Sequence, residues 1–166
     1  LFAQSPYRLS VNTDVPIGIS AISMFTASAM LGSTKKLPPQ QEILQLQRSE
    51  INRFDRGATY QYSPTISRIS DATILLATAL PLIHLATRNS RKDFGKVALM
   101  GAEVFMLNLA FTNLVKESVS RKRPLLYNEK VPIERKMKKD YFKSFFSGHT
   151  STTSAMSFYF AQTYAH

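Results

Sequence analysis

The feature that most constrains this chain is a series of long segments without charge. Residues 15–31 and 72–86 contain no charged side chain, and a third apolar segment, 97–115, is interrupted by Glu103 and Asn108. A helix on the surface of a soluble bundle shows a charged face every three or four residues, and the first two segments show none. This pattern favours transmembrane helices over a soluble helical bundle.

A fourth apolar segment covers residues 152–165, so we predict an all-α fold, a polytopic transmembrane helical bundle. The expected division is a polar N-terminal segment, 1–14, followed by a membrane domain over 15–166. Glu103 and Asn108 should face other helices, because polar groups are costly against lipid. Residues 41–57 place apolar side chains among charges and predict an amphipathic helix lying at the membrane surface.

The positive charge of the chain is concentrated in one segment. The net charge is +10, and ten of the 21 Lys and Arg residues lie between Lys116 and Lys143. Such a segment favours an anionic partner, namely a phosphate, a lipid headgroup or nucleic acid. For most of these lysines, a solvated basic loop beside a membrane is sufficient explanation. No motif that reads a groove or stacks bases is present, so nucleic acid is not an expected partner.

Two short motifs lie at the ends of apolar segments. "KESVSRKRP", 116–124, places Lys116 and Arg123 after the third segment, with Pro124 preventing the helix from continuing. "SGHTSTTS", 147–154, places Ser147 and Gly148 where the next helix should begin. Either motif alone has an ordinary interpretation: headgroup anchors in the first case, a helix N-cap with a surface histidine in the second. Together they predict a phosphate site, with cations from one helix end and free N–H groups from the other. His149, in the first turn, could give a proton to a leaving oxygen.

These two motifs resemble the K-x6-R-P and SGH signatures of the type 2 phosphatidic acid phosphatase superfamily. The three apolar segments before them are similar to its membrane branch. The second motif more often begins with proline, where this chain has Phe146. The resemblance implies that Lys116 and Arg123 hold phosphate, that Ser147 and Gly148 donate hydrogen bonds to it, and that His149 protonates the leaving group. It implies no metal and no cofactor, and it implies lipid phosphates as substrates.

The third signature of that superfamily, S-R-x5-H-x3-D, does not occur in the printed sequence. It supplies an arginine, the nucleophilic histidine and the aspartate that orients that histidine. His166 has no Arg or Asp around it, and His84, between Ile83 and Leu85, is expected to be buried or to lie between helices. We therefore expect an incomplete copy, cut after about the fourth helix, which lacks the group that attacks phosphorus.

Three functions are compatible with these motifs. The first is a membrane phosphatase that hydrolyses a phosphomonoester or pyrophosphate of a lipid through a phosphohistidine. The second is a membrane protein that binds anionic lipids or phosphates without catalysis. The third is a soluble acid phosphatase or haloperoxidase of the same superfamily. The sequence leaves the oligomeric state and the particular lipid open.

The orientation is predicted from the loop at 88–96, which contains Arg88, Arg91, Lys92 and Lys96. The positive-inside rule places this loop in the cytoplasm. The phosphate site would then face the periplasm from a bacterial inner membrane. The loop between the first two helices also contains cations, and these favour the opposite orientation.

Overall fold

The structure is a computed structural model that describes residues 5–86 and 91–165. The described residues form six α-helices joined by loops and 3-10 turns, and they contain no β-strand. The helices are α1 Val11–Ser33, α2 Gln40–Leu44, α3 Pro64–Ala79, α4 Phe94–Val119, α5 Ile133–Lys136 and α6 Gly148–Tyr164. The chain is therefore all-helical over these residues, as the sequence predicts.

α1 and α4 extend beyond the apolar segments that predict them. α1 begins at Val11, because the extended residue Ser10 precedes it and donates its backbone N–H to the Asp14 carboxylate at 2.8 Å. Four residues that the sequence assigns to a polar N-terminal segment are thus helical. α4 ends where Ser120 adopts a left-handed conformation, with φ of 48°, and its N–H bonds to the carbonyl of Lys116.

Contacts between helix ends define the topology. Gly32 at the end of α1 lies against Glu117 near the end of α4. Asp71 in α3 contacts His149 at the start of α6, whereas His84, beyond the other end of α3, contacts Thr163 at the end of α6. α1 and α4 therefore run in one direction and α3 and α6 in the other. We call the end where α1 and α4 finish and α6 begins the motif end.

The four long helices bury little apolar surface between them. Their core contains Val97, Met156 and Tyr159, and Asn108 donates to Thr152 across the α4–α6 contact at 3.1 Å. This confirms that Asn108 faces another helix. Large apolar side chains point outward instead: Ile22 is 68% exposed, Leu75 71% and Phe158 69%. Such a surface is covered in a lipid environment and is unusual for a protein in water.

Three segments are long and apolar enough to cross a membrane: Val11–Ser33, Pro64–Ala86 and Phe94–Val119. A 23-residue helix such as α1 is about 34 Å long, compared with a hydrocarbon layer of about 30 Å. α6 is shorter, at 17 residues. The second segment is not one continuous α-helix: α3 ends at Ala79, and a 3-10 turn that contains Pro81 covers Leu80–Ala86.

The loops at the motif end, 34–63 and 120–147, pack against each other and form a cap over the bundle. Ile43 from the first loop and Leu126 and Tyr127 from the second form a second buried cluster. Arg121 pairs with Asp55, and Arg48 lies 3.6 Å from Glu129. Two of the clustered cations, Arg121 and Lys122, therefore pair with carboxylates of the first loop, and Arg48 pairs in the opposite sense.

The predicted amphipathic helix over 41–57 is wrong. Only Gln40–Leu44 is α-helical, and short 3-10 turns follow at Arg48–Glu50, Arg53–Asp55 and Gly57–Tyr60. Asn52 competes with helix formation, because its side chain accepts a hydrogen bond from the N–H of Phe54. The apolar residues Ile43, Leu46 and Ile51 pack on the second loop of the cap, so burial in the cap replaces burial at a membrane surface.

The opposite end of the bundle contains His84 and the short basic loop. His84 is buried, and its Nε2 lies 3.1 Å from Thr163 Oγ1, which confirms the prediction of an interhelical histidine. Arg91 and Lys92 precede α4 and lie at this end, away from the two motifs. Arg88, which the orientation prediction also uses, lies outside the described residues, as does His166.

Candidate phosphate-binding site

A pocket of about 300 Å³ at the motif end contains the residues that the two motifs predict. Its lining includes Lys116, Arg123, Ser147, Gly148 and His149. Lys143, Ser144 and Phe146 from the second cap loop and Ala58 from the first complete part of the wall. The structure therefore brings together five residues that lie up to 33 positions apart in the chain.

Lys116 lies in the last turn of α4, and its side chain passes over the start of α6. A methyl group placed on Gly148 would lie 3.0 Å from the Lys116 ammonium nitrogen, which is a tight contact, so glycine at this position gives the ammonium room. Lys116 is half-buried, and within the described ranges it forms no salt bridge. The pocket thus contains a lysine charge that no described carboxylate contacts directly, and Asp140 attracts it only from beyond salt-bridge distance.

Arg123 reaches the pocket from an extended backbone, φ −71° and ψ 142°, just before Pro124. Its Nε and Nη2 donate to the backbone oxygen and the carboxylate of Asp140, and its guanidinium carbon lies 5.4 Å from the centre of the Tyr141 ring. Arginine has five N–H donors in a planar fork. Asp140 uses one edge of that fork, and the Nη1 donors remain for an anion.

The start of α6 supplies hydrogen-bond donors. Ser147 is the N-cap, and its hydroxyl oxygen accepts from the N–H of Thr150 at 3.3 Å and from the Thr150 hydroxyl at 3.1 Å. The Ser147 hydroxyl proton is still available for donation. The first N–H groups of a helix lack acceptors within the helix, so those of Gly148 and His149 are also available. The helix therefore begins where the sequence predicts, with donors next to Lys116.

His149 is paired with a residue that sequence reasoning missed. Its Nε2 lies 2.7 Å from Oδ1 of Asp71, on the second turn of α3. Both side chains are partly exposed, at 46% for His149 and 65% for Asp71. While Nε2 contacts this carboxylate, Nδ1 is the ring nitrogen that remains for an anion. The only sequence signal for this role is that Asp71 precedes an uncharged segment of 15 residues.

Lys143 is a third cation of the pocket, and sequence reasoning also missed it. Its ammonium donates to the carboxylate of Glu117, which is only 7% exposed. The same carboxylate lies 3.9 Å from the ammonium of Lys35, and Lys35 also donates to the backbone oxygen of Glu117. Glu117 therefore joins the end of α1 to the second cap loop and fixes one wall of the pocket.

The pocket has the composition of a site for a tetrahedral oxyanion. Three cations converge from α4 and the second cap loop, helix-start N–H groups face them, and an imidazole lies at the edge. The described part of the chain contains no group of three or more His, Cys, Asp or Glu side chains that could hold a metal ion. Phe146, which takes the place of the more usual proline, packs against Phe111 with ring centres 6.0 Å apart.

Comparison with protein-family models, with curated proteins and with solved structures finds no match to this chain.

Proposed function

We propose that the pocket at the motif end binds the phosphate group of a phosphorylated lipid. The observation that carries this proposal is the half-buried ammonium of Lys116, which contacts the start of α6 and forms no salt bridge within the described residues. Partly burying a cation that no carboxylate contacts is unfavourable, and an anion in the pocket would lower that cost.

The arrangement of the other charges supports the same ligand. Arg123 and Lys143 each contact a carboxylate, Asp140 and Glu117 respectively, whereas Lys116 contacts none among the described residues. The net positive charge of the pocket therefore lies next to the helix start, where backbone N–H groups also favour an anion. A phosphate with its oxygens toward Lys116 and the N–H of Gly148 would meet the Nη1 donors of Arg123 on another side.

We further propose that the complete protein hydrolyses the bound phosphomonoester or pyrophosphate. A nitrogen nucleophile attacks phosphorus, the P–O bond to the lipid breaks, and His149 gives its proton to the leaving oxygen. Water then attacks phosphorus, a new P–O bond forms as the phosphorus–nitrogen bond breaks, and the proton released by water returns to His149. The first step needs a second histidine as the nucleophile. The family resemblance implies one, and among the described residues the lining of this pocket contains no histidine besides His149. Asp71 would hold the His149 ring in position for both proton transfers.

The membrane is the proposed location of the protein. This location is supported by three segments that are long and apolar enough to cross a membrane. It is also supported by large apolar side chains that face outward, namely Ile22, Leu75 and Phe158. The pocket lies where α1 and α4 finish, so it would be at the boundary between hydrocarbon and water, within reach of a lipid headgroup.

The orientation across a bacterial inner membrane is a separate proposal, and the two ends of the bundle give opposing predictions. The loop at 88–96 places the site in the periplasm, whereas the more strongly basic segment 116–143 would place it in the cytoplasm by the same rule. The chain has no cysteine, so single cysteines at the exposed positions Lys92 and Lys130 can be labelled selectively. Labelling of Lys130→Cys alone by an impermeant reagent added outside intact cells supports the periplasmic site, and labelling of Lys92→Cys alone overturns it.

The catalytic proposal is tested with the full gene product in detergent and a short-chain phosphatidic acid. His149→Ala should lower phosphate release about 10²–10⁴-fold, the usual contribution of a general acid. Lys130→Gln, which removes a cation of the same loop outside the pocket, should leave the rate unchanged. Unchanged turnover in His149→Ala would contradict the role of His149.

The second candidate, a non-catalytic binder of anionic lipid, is favoured by one observation. Within the described residues, His149 is the only histidine of the pocket, and a phosphohistidine route needs two. A full gene product that binds phosphate in the pocket but releases none from phosphatidic acid would support this candidate over the phosphatase.

A further inference from the structure

A second pocket, of about 360 Å³, lies beside the first at the motif end. Five lysines line it: Lys35, Lys36, Lys122, Lys139 and Lys143. Leu37, Pro38 and Phe142 supply an apolar part of the wall. We name it the lysine pocket, and we infer that it binds the anionic phosphate headgroup of a membrane phospholipid that is not the substrate.

The charge of the lysine pocket is only partly compensated. Glu117 interacts with Lys35 and Lys143, and Glu42 lies 3.8 Å from Lys122. In the part of the chain that the structure describes, Lys36 and Lys139 take part in no salt bridge. Two exposed lysines therefore line the same cavity without a carboxylate partner among the described residues, and an anion that enters it meets uncompensated positive charge.

The place of the lysine pocket in the fold favours a lipid over a free ion. It is built on Gly32 at the end of α1 and Ser120 just after α4, and both of these helices are candidate membrane spans. Residues at the ends of such spans lie at the level of the headgroups. Lys35 is only two residues beyond α1, and lysines at this level attract anionic headgroups. The apolar wall would contact the glycerol and the first carbons of the acyl chains, which a free phosphate does not have.

The two pockets share Lys143 but differ in the rest of their linings. The lysine pocket lacks an imidazole and helix-start N–H groups among the residues described, so it offers binding without proton transfer. Its assignment does not depend on the proposed phosphatase activity, and the test can separate the two sites.

The test uses the chain with Lys116→Gln and Arg123→Gln, which disable the first pocket, purified in neutral detergent. Native mass spectrometry measures retention of phosphatidylglycerol as the lipid is titrated, with phosphatidylcholine as the neutral comparison. We expect phosphatidylglycerol to be retained in this background. Adding Lys36→Gln and Lys139→Gln should weaken its apparent affinity about 25-fold, about fivefold for each lysine. Adding Lys130→Gln and Lys138→Gln instead, two exposed lysines that line neither pocket, should change it less than about twofold.

Three results would overturn the inference. One is an equal loss of affinity in the two double variants, which would show a diffuse electrostatic attraction. Another is equal retention of phosphatidylcholine, which would show that the phosphate charge of an anionic lipid is not recognised. The third is displacement of the lipid by equimolar inorganic phosphate, which would show a site for the free ion.

Discussion

Replacing Glu117 with glutamine should destabilise the protein by about 2 kcal/mol. At the 3.9 Å that separates the Glu117 carboxylate from the Lys35 ammonium, the attraction is about 4 kcal/mol at an effective dielectric constant of about 20. Desolvation of the buried carboxylate opposes this attraction by several kcal/mol, whereas the contact with Lys143 adds to the attraction. The lysine side chains are 38% and 27% exposed, so they can reach water when the carboxylate is lost. We therefore expect less than the about 3–5 kcal/mol typical of a broken, fully buried pair.

Thermal unfolding in detergent measures this effect. A loss of about 2 kcal/mol corresponds to a fall in Tm of about 4–8 °C for a chain of this size. Glu129→Gln is the matched control, because Glu129 pairs with Arg48 at 3.6 Å but its side chain is 88% exposed. Surface pairs of this kind contribute about 0–1 kcal/mol.

Equal shifts in Tm for Glu117→Gln and Glu129→Gln would refute the reasoning, because burial of the carboxylate would then make no difference. A double-mutant cycle with Lys143→Met adds a second criterion. Additive losses in the Glu117→Gln, Lys143→Met double variant would show that the two side chains do not interact.

Three further predictions concern the first pocket and the cap. Gly148→Ala places a methyl group 3.0 Å from the Lys116 nitrogen and should weaken phosphate binding, measured by calorimetry, about tenfold. Gly95→Ala, where the added methyl group has open space, should leave the affinity unchanged. Equal affinities of the two variants would contradict the close approach of Lys116 to Gly148. Asp71→Asn should lower kcat of the full gene product about tenfold with little change in KM, and a change in KM alone would contradict a role in positioning His149. Burial lowers the pKa of Lys136, so the charged form is disfavoured in the folded state at every pH below that pKa, and the penalty fades as the pH rises toward the ordinary value. Lys136→Met should therefore be more stable at pH 7, with a gain that is lost as the pH rises to the ordinary lysine pKa of about 10.4; a gain independent of pH would contradict this.

The sequence predicts the four long helices well, because each depends on local composition. The uncharged segment 15–31 lies within α1, and the serine and glycine at 147 and 148 mark the start of α6. The cap loops could not be predicted in the same way. The apolar residues over 41–57 fit an amphipathic helix, and the packing of Ile43 on Leu126, together with the local hydrogen bond of Asn52, explains why the chain folds into short turns instead.

The pocket could be predicted in part, because local sequence patterns also mark some of its residues. Lys116, Arg123 and His149 carry a recognisable order and spacing, so they could be grouped before any coordinates were known. The partners that hold this group in place could not. Asp71 and His149 are separated by 78 positions, and Glu117 and Lys143 by 26. Such pairs arise from the packing of α3 on α6 and of the second cap loop on α4, which no local pattern encodes.

The binding of inorganic phosphate to this chain tests the central claim most directly, because it needs neither a substrate nor a nucleophile. Isothermal titration in detergent should show one phosphate bound in the first pocket. The affinity should fall at least about tenfold in Lys116→Gln and in Arg123→Gln, and it should be unchanged in Lys130→Gln. Equal affinity in all four proteins, or no binding in any, would contradict the assignment of this pocket to phosphate.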